Sequence, residues 1–329
     1  MLWGKTDEML SMLPLMDNRS TEATVEMLNK LIHAAFAIRP TLSILLSFKM
    51  IQLALQHGVA PLSAFAFATY GSLLCGFMGK RKEGYRFGRI ALSLQERLKS
   101  QQMLAKTFVA VYGFINHWSE HLHLTLEPLR HAHSVGLKMD VEYGHLSGGL
   151  YLIHSYFCGK PLNVLLDEMI QFFEIRKQHA GVVPADVYTQ AVMNLLGHSQ
   201  NPIELKGDAF DQNEIQHKFR SSLIFQFNVC FNRLMLSYLF YEYETASDMA
   251  EKSRMAMRPV MCMHASCINI FYDGLTSLAM ARKTKAVKWR QKALQCIKKI
   301  EGYALDSPQN FLHKVSEHRC FIRQCPCPL

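Results

Sequence analysis

The spacing of helix breakers constrains this chain more than any other feature. Gly58 before Pro61, Gly79, Gly136, Gly159 before Pro161, Gly181 before Pro184, Gly197 through Pro202, Pro259, and Ser307 before Pro308 cut it into helix-length pieces. Between the breaks apolar residues recur at the helical period. Ile44, Phe48, Ile51 and Leu55 share one face, and Phe87, Ile90, Ala91, Leu94 and Leu98 share another. Such faces must be buried against a neighbour, so consecutive pieces are expected to fold back as antiparallel hairpins. Leu223 to Phe231 alternates like a strand, yet Ile224, Phe227, Phe231, Leu234 and Tyr238 carry a helical period with no turn signal before Tyr241. It is expected to be helical too. The prediction is an all-α fold of about fifteen helices without a sheet.

Small residues set how closely those hairpins can pack. Ala68 to Leu94 reads as a tetratricopeptide-like hairpin: a helix ending at Gly79, a charged turn Lys80 to Glu83, then Gly84, Gly88 and Ala91 as small contact residues. The outline recurs at Gly159 to Pro161 before Leu162 to Ile175, and at Tyr241 to Glu244 before Ala246, Ala250 and Ser253. With Gly84, Val164 and Ala246 taken as equivalent, the separations are 80 and 82 residues. That is two units of about 40 residues each, longer than the roughly 34 of a strict tetratricopeptide unit. The intervening unit would be Leu104 to His121 followed by Leu126 to Val135. The architecture expected is an α-solenoid of antiparallel helical hairpins, tetratricopeptide-like. It would run as one array over 1–314, with a softer junction near 198–212 and a short atypical tail at 315–329. Gly84, Ala91, Ala246 and Ala250 are the expected helix crossings. Overpacking Ala246→Leu should cost about 1–3 kcal/mol, whereas Gly84→Ala should be milder or neutral.

With 49% hydrophobic and 19% charged residues in 329, the chain can bury a large core, which excludes disorder and collagen. Its net charge of +9 is concentrated: Arg282, Lys283, Lys285, Lys288, Arg290, Lys292, Lys298 and Lys299 follow one another with no acid among them. The first six form a candidate basic docking face. Nine cysteines, and an N-terminus interrupted by Asp7 and Glu8, fit a cytoplasmic, reducing setting without a signal peptide. Pro61 to Gly79 carries no charge and is followed by Lys80, Arg81 and Lys82, as a membrane span would be. Ser63, Thr69, Tyr70, Gly71, Ser72 and Gly76 dilute it, so a buried helix is expected instead of a span.

Signatures of chemistry are incomplete wherever they begin. His117, His121, His123, His131 and His133 cluster, but without the glutamate of a His-Glu-x-x-His arrangement. The cysteines, including Cys262, Cys267, Cys320, Cys325 and Cys327, form no Cys-x-x-Cys pair, and Pro326 occupies the position a prenylation box gives to cysteine. Gly79-Lys80 is followed by Arg81, where a phosphate-binding loop needs Ser or Thr, and His318-Arg319 is followed by Cys320 instead of a catalytic aspartate. No catalytic residue, cofactor or metal is therefore expected.

Seven phrases carry a family resemblance: Leu45 to Gly58, Ser63 to Gly71, Gly84 to Leu94, His117-Trp118, Gln190 to Gly197, Phe271 to Leu278 and Pro308 to Lys314. In this order, from about Leu10 to Lys314, they resemble the helical middle region of multi-sensor hybrid kinases that carry an AAA-type ATPase module. In that family the region looks like a tetratricopeptide-like array, after a Ser/Thr kinase domain and the ATPase module and before sensor and histidine-kinase or cyclase domains. The resemblance implies a non-catalytic scaffold or regulatory segment that binds protein partners or neighbouring kinase and ATPase domains. After Lys314 the chain departs from the family. A nucleic-acid-binding helical repeat using the basic face around 282–299 is the competing expectation, and a truncated fragment without independent activity is the third.

Overall fold

The computed structural model describes residues 6–38, 40–177, 183–213 and 221–323. Among them every regular element is helical, and extended backbone pairs only at two isolated bridges, Leu15 with Val59 and Lys206 with Asp211. The chain divides into two compact units between Tyr151 and Leu152. Gly181 lies outside the described residues, as do Cys325 and Cys327.

The first unit contains α1 (Asp7–Ser11), α2 (Arg19–Ile38), α3 (Pro40–His57), α4 (Pro61–Gly76), α5 (Arg81–Leu98), α6 (Gln101–Phe108), α7 (Leu126–Met139) and most of α8 (Val141–Phe157). Between α6 and α7 the chain winds through a π-turn at Val109–Gly113 and 3-10 turns at Asn116–Trp118 and Leu122–Thr125. The uncharged stretch forms α4. Pro61 opens it, the Ala60 amide donates to Ser63 Oγ at 3.0 Å, and thirteen of its sixteen residues are buried. Among the described residues no helix is long and apolar enough to cross a membrane.

Alpha-helix α5 is amphipathic, burying Phe87, Ile90, Ala91 and Leu94. It crosses α4 at two glycines. A Cβ on Gly84 would lie 2.3 Å from Cys75 Sγ and 2.5 Å from the Gly71 carbonyl oxygen, and one on Gly71 would lie 2.7 Å from the Gly84 oxygen. The two backbones touch directly, and Ala91, fully buried, continues the face one helical stretch later. Gly136, expected to break a helix, instead sits inside α7 and is buried against Gly144 of α8. A Cβ on Gly136 would stand 2.5 Å from Gly144 Cα, and one on Gly144 would stand 2.6 Å from the Gly136 carbonyl carbon. His133 Nδ1 reaches the Gly144 oxygen at 2.7 Å beside this crossing.

The second unit takes the end of α8 and continues with α9 (Leu162–Lys177), α10 (Pro184–Leu195), α11 (Leu223–Leu239), α12 (Tyr243–Ala256), α13 (His264–Thr284), α14 (Val287–Asp306) and α15 (Pro308–Arg323). The stretch with strand-like alternation is α11, because its Phe225, Phe227, Phe231 and Leu234 all enter the core. Ala246 and Ala250 of α12 are buried with Met249 in one cluster with Leu234 of α11, and Tyr238 and Tyr272 pack on it. Val164 does not share their role. It is 44% exposed, and α9 buries Leu165, Leu166, Met169 and Phe172 instead, so the register there is shifted by one residue. Residues 198–211 lack a helix of their own but pack firmly. Leu205 and Phe210 join Val187, Ala191 and Leu236 in one cluster, and Asn194 Nδ2 donates to the Glu204 carbonyl at 2.7 Å. Val315 and His318 are buried in α15, which runs to Arg323.

Two buried groups couple this unit to solution conditions. Arg176 of α9 donates to both carboxylate oxygens of Asp186 in α10, at 2.9 and 2.8 Å, with both side chains at most 3% exposed. Burial nevertheless raises the Asp186 carboxyl to about 6, against the opposing pull of the Val183 amide and the Arg176 charge. His154 is buried in α8, and burial alone lowers it to about 3.

The glycine crossing reverses the expectation for Gly84→Ala. The added methyl group meets backbone as well as Cys75 Sγ, so the change should destabilise by about 1–3 kcal/mol in urea melts, similar to Ala246→Leu. A pH dependence follows from His154. Its folded pKa lies below the unfolded value near 6.5, so the unfolded state binds the proton first and stability falls as pH drops below about 6.5. Between pH 7.5 and 5 this one residue should remove about 2 kcal/mol, and His154→Leu should lose that part of the pH dependence in melts at the two pH values.

Candidate docking surface

The basic run occupies the end of α13, the turn after it and the first turns of α14. The Lys285 backbone is left-handed (φ 59°) and ends α13, with its amide on the Ala281 carbonyl at 3.0 Å. Thr284 Oγ1 donates to the Met280 carbonyl at 2.8 Å and accepts from the Ala286 amide at 3.3 Å. Ala286 then leads into α14, whose Ala293, Cys296, Ile297 and Ile300 are buried against α13 and α15. One side of α14 is thereby turned into the core and the other outward.

The structure separates the six basic residues into different surroundings. Arg282 reaches across to α15, donating to the Phe321 carbonyl at 2.8 Å with its guanidinium over that ring. Lys283 pairs with Glu244 of α12 at 2.5 Å, and this hydrogen bond holds the Glu244 carboxyl below its ordinary value. Lys292 faces inward toward Asp273 of α13 at 3.7 Å, and Arg254 of α12 binds the other oxygen of the same carboxylate at 2.8 Å. Asp273 is only 5% exposed and thus ties three helices together. It also acts on its neighbour: burial first, then the Asp273 charge, pushes the Cys296 thiol up to about 12. Arg290 is half-buried, Lys288 lies over the Trp289 ring, and Lys285 is exposed.

The counter-charges Glu244 and Asp273 were missed in the sequence. Their signal was faint. Asp273 is an isolated acid in an otherwise uncharged stretch of α13, where a buried carboxylate needs a cation, and Lys292 is the one that α14 turns toward it. Lys298 and Lys299, outside the six, are exposed along α14 as Lys288 is.

The histidine cluster does not converge. His117 is fully buried against the Trp118 ring, His121 Nδ1 accepts from the His123 amide at 3.1 Å, His131 lies near Phe108, and His133 binds the Gly144 carbonyl. Among the described residues no group of three or more His, Cys, Asp or Glu side chains comes close enough to hold a metal. None of the seven described cysteines is in a disulfide. Burial raises the thiols of Cys158, Cys230, Cys262 and Cys296, the opposite of what a thiolate nucleophile needs.

The central carboxylate and the surface pair should respond differently to substitution. Asp273→Ala leaves Arg254 and Lys292 without their shared acceptor and should cost about 1–3 kcal/mol in urea melts. Lys283→Ala should leave the midpoint unchanged, because both partners of that pair face solvent.

No family model matches the chain. Over 171 residues, half of its length, it is 26% identical to hybrid signal transduction histidine kinase G of Dictyostelium discoideum. The match covers 5% of that protein, so the chain spans a small fraction of this relative. Over half its length the chain is similar to a signalling protein.

Proposed function

We propose that the chain is a non-catalytic scaffold or regulatory segment of a signalling ATPase or kinase, built as a tetratricopeptide-like array of helical hairpins. It binds protein partners or neighbouring domains. The observation that carries this reading is the 26% identity to a hybrid signal transduction histidine kinase over half the chain. Hairpins locked at backbone contact, as at Gly71 with Gly84, support it, because a rigid array holds its outward faces in fixed positions for a partner.

Long-read sequencing of the native transcript should reveal a kinase, ATPase or sensor module encoded in the same frame, and a transcript with no such module would contradict the reading. Calorimetric titration of this chain with each module, expressed separately, should show saturable one-to-one binding to at least one of them. Failure to bind any module would contradict the scaffold reading. So would ATP turnover by the purified chain that a single substitution within it abolishes.

A further inference from the structure

We draw no further inference here: the strongest candidate, the surface patch of exposed Phe240 and Tyr241 at the turn between α11 and α12, to whose edge Glu244 brings Lys283, carries nothing because Glu242 and Glu244 offset the charge beside the rings and nothing in the structure shows what covers them.

Discussion

Direct backbone contact between neighbouring helices is the constraint on which this structure depends. Where α4 meets α5, and where α7 meets α8, glycine faces glycine and no side chain separates the two main chains. Helices usually pack 8–10 Å apart because side chains hold them there; removing the side chain on both sides shortens the distance and fixes the crossing point. Everything apolar on those helices is then registered from that point. Phe87, Ile90, Ala91 and Leu94 are delivered to the core by their spacing from Gly84, and Ile115 closes over Gly88. In the second unit, Ala246 and Ala250 of α12 are buried in one cluster with Leu234 of α11.

Charge is arranged by the same economy of space. Asp273 and the Arg176–Asp186 pair are enclosed, and each enclosed carboxylate has a cation brought to it from another helix. Removing one member of such a set leaves a desolvated charge, so these groups hold helices in register more firmly than their exposed counterparts. Lys283 and Glu244, half exposed on both sides, contribute charge balance and little else. The basic run consequently has two characters. Part of it is internal bracing for α12, α13 and α15, and the remainder, on the outward side of α14, belongs to the surface.

Helix content was legible because apolar periodicity and breaker spacing are local properties; α11 could be recognised from Ile224, Phe227, Phe231, Leu234 and Tyr238 despite its alternation. Gly84 was legible as a small residue after a charged turn. Its partner Gly71 was not, and without the partner the severity of a substitution could not be judged. Gly136 was misread as a break because glycine signals both a helix end and a close crossing, and only the opposing Gly144 decides between them. The one-residue shift that exposes Val164 escaped for the same reason: an outline of breakers locates a hairpin but does not choose its buried face. Counter-charges such as Glu244 and Asp273 lie far along the chain from their lysines, so the basic run looked more continuous in sequence than it is on the surface.

Two glycines inside helices provide the most direct measurement of the central claim. A Cβ on Gly144 would lie 2.6 Å from the Gly136 carbonyl carbon, whereas one on Gly302 in α14 would meet nothing within 4 Å. Alanine raises helix propensity by about 1 kcal/mol in a helix interior, so only the crossing can make the two substitutions differ in sign. Equilibrium urea unfolding should show Gly302→Ala more stable than the parent and Gly144→Ala less stable by about 1–3 kcal/mol. Two stabilising substitutions of similar size would contradict the account, because they would show that the helices are not held at backbone contact.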